Sequence, residues 1–202
     1  MIKSEGSATG ADIDQLCALF DRFHPTGKLV RQHLARHVEL LSVPKGSLLL
    51  RSGTLCTHIY FIKSGLLRGF ITEGERDITT WFTVEGEIVA AISSFILQKP
   101  TIENIQAVED CTLLAIAYKD LDELYLKYPS FNITGRKIAE LYYTLAENRS
   151  FIIRLQKAEN KYALFLQHYG HLANRVSQKN IASFLGIATE TLSRVRRKAS
   201  GR

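Results

Sequence analysis

Glu190, Ser193, Arg194 and Arg197 recur at steps of three and four near the end of the chain, so a helix there lines them up on one face. Such a face can read base edges. An arginine offers two parallel N–H donors that match O6 and N7 of a guanine, and a glutamate accepts from the amino group of a cytosine. Arg196 and Lys198 fall beside the face, where a cation meets phosphate instead. Glu190 and Arg194 are also one turn apart, and as a bare surface ion pair they would contribute only about 0–1 kcal/mol. Charge decides between the two readings. The chain carries 26 Lys and Arg against 20 Asp and Glu, a formal +6. From Gly170 onward there are seven basic residues and one acid, so the excess sits entirely on this segment and the rest of the chain is balanced. That is the electrostatic footprint of a module that neutralises phosphates.

The elements that must hold these side chains are legible in SQKNIASFLGIATETLSRVRRK, residues 177–198. Ile181, Leu185, Ile187, Leu192 and Val195 take the inward positions of two successive helices. Ala182 is small where the two backbones come closest, and Gly186 occupies the turn, where glycine accepts a left-handed backbone at no steric cost. The pattern predicts a helix-turn-helix whose second helix enters the major groove of double-stranded DNA. Its candidate DNA contacts are Ser177, Gln178 and Lys179 at the start of the first helix. On the second they are Thr189, Glu190, Thr191, Ser193, Arg194, Arg196, Arg197 and Lys198. Ala188 stands where Ser or Thr caps better, a loss of about 1 kcal/mol. Thr189 is the alternative cap, which would move the helix start by one residue.

Composition narrows the rest. With 202 residues the chain can bury one ordinary core plus a small second domain. Apolar residues make up 46% and charged residues 23%, the balance of a soluble globular protein. MIKSEGSATGADIDQ lacks the apolar centre of a signal peptide, and no apolar run approaches the ~20 residues that cross a membrane. A cytoplasmic protein without membrane partners is expected. Cys17, Cys56 and Cys111 are odd in number and far apart, which fits reduced, buried thiols rather than a disulfide framework or a zinc cluster. His33 and His37 are one helical turn apart, but no third ligand accompanies them, so they read as surface histidines and no metal is expected.

Taken in order, the chain begins with a helical stretch from about Ala11 to Val38, interrupted at Pro25 and Gly27. Its apolar faces are Ile13, Leu16, Cys17 and Phe20, then Leu29, Val30, Leu34 and Val38. From Glu39 to Tyr118 the pattern changes to short β-branched and aromatic runs separated by Gly46, Gly53, Gly65, Gly74 and Gly86, the signature of an all-β barrel or roll. KDLDELYLKY is a short helix stopped before Pro129. A long helix follows, from about Ser130 to Gln156, with Phe131, Thr134, Ile138, Leu141, Leu145, Asn148, Ile152 and Leu155 alternating at spacings of three and four. That is a heptad seam, which pairs two helices, or else packs a single helix on the β-roll. AENKYALFLQHY is a further amphipathic helix leading into the helix-turn-helix.

PKGSLLLRSG, YFIKSGLLRGF and the VEGE turn resemble the β-roll of cyclic-nucleotide-binding domains. With IASFLGIATETLSRVRRK at the other end, the chain resembles the Crp/Fnr family of transcription regulators over about Ala11 to Lys198. The resemblance implies an α+β fold: an N-terminal β-roll (double-stranded β-helix) with flanking helices, a long dimerisation helix and a C-terminal helix-turn-helix. The corresponding blocks are 1–128, 129–156 and 157–202. It implies a homodimer joined through Ile138, Leu141, Leu145, Asn148, Ile152 and Leu155, with Asn148 fixing register, and RNA polymerase as a further partner. The ligand-binding cassette of the family places an effector pocket at Gly86, Glu87, Ala90, Ala91, Ile92, Ser93 and Ser94. In the family that cassette reads roughly G-E-x-x-G-E-[IL], followed by an arginine. Here Ala90 replaces the second glycine, Ala91 replaces the ribose-binding glutamate, and no arginine lies between Arg76 and Arg136. A phosphate buried without a paired cation is costly. The site is degenerate: the resemblance leaves it empty or holding something less charged than cyclic AMP, with Ser93 and Ser94 as hydrogen-bond donors or as backbone ties. No cofactor is evident. Iron–sulfur members carry clustered N-terminal cysteines, where Cys17 stands alone, and a haem ligand would have to be His58. Many relatives add a β-hairpin wing after the recognition helix, and the terminal ASGR does not provide one.

The functional expectation is a sequence-specific DNA-binding regulator of transcription, and not an enzyme. Cupin-type chemistry on the β-roll would need several histidines and a glutamate around a metal, and the β region has only His58. The alternative is a small-molecule sensor module without DNA binding.

Overall fold

The computed structural model describes residues 2–199. The chain forms nine strands and eight α-helices among these residues, arranged as an α+β fold. It divides into two compact units. One comprises residues up to Gly69 with Phe82–Leu141; the other comprises Phe70–Trp81 with residues from Tyr142 onward. The long helix α5 (Phe131–Arg154) therefore passes from one unit to the other.

In the first unit, α1 (Gly10–Asp21) starts at Thr9, whose hydroxyl accepts from the Asp12 N–H while the Asp12 carboxylate accepts from the Thr9 N–H, a reciprocal cap. Asp12 is also paired with Lys63 of β4 (His58–Ser64), so the same carboxylate ties α1 to the sheet. Ile13, Leu16, Cys17 and Phe20 are buried, as their spacing predicts. α2 (Lys28–His37) buries Val30 and Leu34, but Leu29 is 61% exposed and lies off the apolar face expected for it. His33 is another correction. It is buried, its Nε2 lies 3.1 Å from the Asp120 carbonyl, and its ring stacks on His37, which pairs with the Asp120 carboxylate. These histidines pin α2 to α4 (Tyr118–Lys127) and are not a surface pair. Among the described residues no cluster of His, Cys, Asp or Glu is arranged to hold a metal.

The glycine-separated runs are strands. One sheet has the order β1 (Lys3–Ser7), β2 (Glu39–Val43), β9 (Cys111–Ala117), β4 and β7 (Ile88–Val89). The other has the order β3 (Leu48–Leu50), β8 (Asn104–Ala107), β5 (Leu66–Glu73) and β6 (Arg76–Val84). Side chains from both sheets fill the roll: Ile62, Leu113 and Leu114 from the first, and Leu66, Leu67 and Ile105 from the second, are fully buried. β1 is absent from the sequence expectation. Its five residues are all exposed, so it has no apolar alternation to announce it, and it is held by antiparallel pairing with β2. Gly65 shows why glycine is needed between β4 and β5. Its φ is +100°, and a Cβ there would lie 2.6 Å from the Asp110 carbonyl oxygen. The three cysteines are free and buried, and burial pushes the thiols of Cys17 and Cys111 up to about 11. No helix among the described residues is long and apolar enough to cross a membrane.

Candidate nucleic-acid interface

In the second unit, α6 (Ala158–Tyr169) supplies the platform. Tyr162 and Phe165 are buried on its inner face, and Phe184 of α7 (Gln178–Leu185) packs edge-on against Phe165 and Tyr169, with ring centroids 6.0 and 5.5 Å apart. Ile181, Ala182 and Leu185 of α7 and Leu192 and Val195 of α8 (Thr189–Ala199) are buried with them, while Ile187 is half-buried. The inward pattern read from the sequence is therefore a real core. Leucines buried to this degree typically contribute about 2–5 kcal/mol each against alanine.

The turn between the helices is built as the sequence requires. Gly186 has φ +61° and its N–H closes back onto α7. Lys161 of α6, itself buried, donates from Nζ to the Leu185 carbonyl at 2.7 Å. A cation on the last carbonyl of α7 satisfies an acceptor the helix cannot and sits favourably at the negative end of its dipole. Sequence reading missed Lys161, because a lysine in an amphipathic helix is ordinarily solvated.

The outward residues stand where helical spacing places them. Ser177 caps α7, its hydroxyl accepting from the Asn180 N–H at 3.2 Å, and Gln178 and Lys179 are exposed beside it. An exposed helix N-terminus of this kind is a favourable place for a phosphate. On α8, Thr189, Glu190, Arg194, Arg197 and Lys198 are exposed, and Thr191, Ser193 and Arg196 are half-buried. The Leu192 N–H bonds to the Ala188 carbonyl at 3.0 Å, so α8 begins directly after Ala188. Thr189 is the first helical residue and does not shift the start: Ala188 fills the capping position without a side-chain oxygen. Lys198 Nζ lies 3.7 Å from Glu159 of α6, an exposed pair; a bond from its own backbone N–H, with help from the Lys198 ammonium, holds the Glu159 carboxyl below its ordinary range. The terminal residues 200–202, and with them Arg202 and the end of ASGR, lie outside the described residues.

The effector-loop candidates are brought together, but they bond to their own backbone. Gly86 forms the turn after β6, and the Glu87 carboxylate accepts from the Val84 N–H at 3.0 Å. Ala91 is buried, and Ile92–Leu97 forms a short helix, α3, rather than an open loop. Within it Ser94 is buried: its hydroxyl accepts from the Cys56 N–H at 3.0 Å and donates to the Lys99 carbonyl. Ser93 is exposed, as is Lys99, the nearest cation in sequence, and Ile92 is 57% exposed beside half-buried Ala90. The His58 Nδ1 lies 2.8 Å from the Thr57 hydroxyl, and burial lowers its pKa.

The seam of α5 (Phe131–Arg154) is divided. Phe131 and Thr134 are buried in their own chain, Phe131 against Phe20 and Tyr125. Ile152, expected in the interface, is only 1% exposed and belongs to the core of its own chain instead. Leu141 is 39% exposed, and Ile138, Leu145, Asn148 and Leu155 are half-buried.

Comparison with known proteins follows the same division. Residues 40–128 match the cyclic nucleotide-binding domain family. Among curated proteins, the transcriptional activator protein FnrA of Stutzerimonas stutzeri is 27% identical over 75% of this chain and 66% of its own length. The fumarate and nitrate reduction regulatory protein of Yersinia pestis is 27% identical over 76% of this chain and 65% of its own. The chain thus spans about two thirds of the length of the curated relatives it matches. Among solved structures, a transcriptional regulator assigned to the crp/fnr family from Eubacterium rectale shares the fold with a TM-score of 0.69 at 18% identity, covering 87% of this chain and 84% of that one. FixK2 of Bradyrhizobium japonicum does so with a TM-score of 0.69 at 16% identity, covering 81% and 86%.

Proposed function

We propose that this chain, which belongs to the Crp/Fnr family of transcription regulators, is a cytoplasmic, homodimeric protein that binds double-stranded DNA in a sequence-specific way and is not an enzyme. The observation that carries this is the exposed face of α8. Glu190 and Arg194 stand one turn apart on a helix whose other side is fully buried, so the pair is presented rigidly. Thr189, Glu190 and Arg194 are assigned to base edges; Arg196 and Lys198 to phosphates. FnrA of Stutzerimonas stutzeri is a transcriptional activator protein, which supports contact with RNA polymerase as well. Dimerisation is assigned to Ile138, Leu141, Leu145, Asn148 and Leu155, a stripe apolar but for Asn148, of which Leu141 is exposed in the single chain.

The effector is not cyclic AMP in this reading. The residues at the family's nucleotide site do not fit a cyclic phosphate: Ala91 is buried where a carboxylate should meet the ribose, and the Glu87 carboxylate is bonded to backbone. Burying a phosphate there would leave it without a paired cation. Calorimetry with cyclic AMP should show no binding at micromolar concentration. The DNA reading is tested by selection from random-sequence duplexes followed by gel shift. An enriched two-fold-symmetric motif is the expected result; binding of all sequences alike would remove the sequence specificity, and binding of none would leave only a sensor module.

A further inference from the structure

β6 is an edge strand, and an edge presents backbone groups that the sheet does not use. At its outer end two of these are taken by one side chain. The hydroxyl of Ser183, on α7, accepts from the Thr79 N–H at 2.9 Å and donates to the Asp77 carbonyl at 2.8 Å. Residues i and i+2 of an edge strand expose their N–H and C=O in the same direction, which is why a neighbouring strand can bond both. A hydroxyl has one proton and two lone pairs, so Ser183 can replace that neighbour at this point. Thr79 is buried, and Phe70–Trp81, the outer part of the β5–β6 hairpin, belongs to the same compact unit as the helix-turn-helix.

The other end of β6 is tied as firmly. The Val84 N–H donates to the Glu87 carboxylate at 3.0 Å, and the Glu85 carboxylate accepts from the Gly65 N–H at 2.9 Å. The Gly86 N–H donates to the Ile62 carbonyl at 2.9 Å, and the Ile62 N–H returns to the Glu87 carbonyl at 3.0 Å. Thr79 and Val84 are joined by continuous strand, roughly 17 Å at ~3.3 Å per residue.

We infer that Ser183 is a positioning residue: its hydroxyl fixes the DNA-reading helix pair to the β5–β6 hairpin, so that a change at the Glu85–Glu87 turn reaches the recognition helix along β6. The inference rests on the DNA-binding reading above. It gives the sensor's output a route through this backbone-to-hydroxyl contact, alongside the hairpin's other contacts and whatever passes through α5.

The test uses the full chain and the variants Ser183→Ala, Ser183→Thr and Glu87→Ala. Hydrogen exchange at the Thr79 amide should speed up by about fivefold or more in Ser183→Ala, the scale of one net hydrogen bond, and return toward the wild-type rate in Ser183→Thr. On the selected DNA site, Ser183→Ala should change affinity while leaving the base preference intact. Glu87→Ala should change affinity in the wild-type background and have no further effect in the Ser183→Ala background, the signature of two sites coupled through one contact. Unchanged Thr79 exchange would overturn the inference, as would a Glu87→Ala effect of equal size in both backgrounds. Failure of the wild-type chain to select any sequence would instead sink the DNA-binding reading, and the exchange measurement, which needs no DNA, still tests the contact on its own.

Discussion

Both the turn at Val84–Ser94 and the helix pair at 178–199 hold carboxylates and hydroxyls, and the two regions direct them oppositely. In the turn, Glu85, Glu87 and Ser94 all bond to backbone groups of their own chain. In the helix pair, Glu190 and Arg194 face outward from a core that is complete without them. The difference teaches where recognition can sit. A polar side chain already bonded to backbone must be torn from it before it can meet a ligand, and where the pair is buried, as at Ser94 and the Cys56 N–H, this costs the desolvation of the group left behind. A side chain on the far face of a packed helix gives up only water. The turn is built to hold a shape, and the helix pair is built to be read against.

The largest expected effect tests whether the helix pair works alone. Leu145→Asp, and the more exposed Leu141→Asp, would place an unpaired charge in the proposed seam of α5. Sedimentation should show monomers. Half-site binding by a monomer should then fall toward non-specific affinity, a loss on the order of 10³-fold. A variant that remains dimeric would move the interface to another face of α5 and leave the helix pair uncoupled from it.

Next in size is Arg194→Ala. It should cost about 1–3 kcal/mol on the selected site and relax the preference at one base position in each half-site, because a bidentate contact to guanine has no substitute nearby. Selection repeated on the variant checks this. Retention of the wild-type preference would mean that Arg194 only pairs with Glu190, and that the outward face is not a reading face at all.

Acid should loosen the tie between α1 and the sheet. Burial alone would raise the Asp12 pKa, but the Lys63 ammonium and the two bonds from Thr9 outweigh it and hold the group below 3.8. A lowered folded pKa means stability that is present in full above the unfolded value and lost as pH falls through the folded one. Asp12→Asn should therefore destabilise the chain by about 1–2 kcal/mol at pH 7, the usual scale for a cap and a charge-assisted bond. Thermal unfolding should show the gap between variant and wild type closing as the pH is taken below 3.8.

How much of this was legible in the sequence follows from the range of the interactions. The helix-turn-helix was readable almost residue by residue, because Ile181, Leu185, Leu192 and Val195 sit at local helical spacing and Gly186 marks its own turn. The strands of the roll were readable from glycine and β-branched runs for the same reason. What failed depended on distant partners. β1 exists only because β2 offers it an edge. His33 is buried only because α4 covers it, and Ile152 leaves the seam only because its own chain packs on it. Ser183 looked like an ordinary polar residue on α7, since its two partners lie 104 and 106 residues away. The effector turn was half legible: the substitutions at Ala90 and Ala91 were visible, but not that Ser94 serves Cys56 and Lys99.

The smallest expected effect is the most discriminating for the outward face itself. Lys198 stands one turn beyond Arg194 but is turned toward Glu159 of α6, at 3.7 Å. As a phosphate contact it should release about one counterion, so Lys198→Ala should lower the salt-dependence slope by about one unit and weaken all sequences alike, with no change in base preference. The Glu159 carboxylate competes for the same ammonium whenever DNA is absent. Glu159→Gln keeps the size and removes the competitor, so it should strengthen binding to every sequence by a small and equal factor, most visibly at low salt, where screening is weakest. Made together with Lys198→Ala, Glu159→Gln should lose most of that gain, because its effect runs through the lysine. Titrations of the three variants at two salt concentrations, on the selected site and on a scrambled one, separate the outcomes. A gain from Glu159→Gln that survives without Lys198 would mean that the carboxylate repels phosphate directly, and a gain confined to the selected site would put Lys198 on the reading face after all.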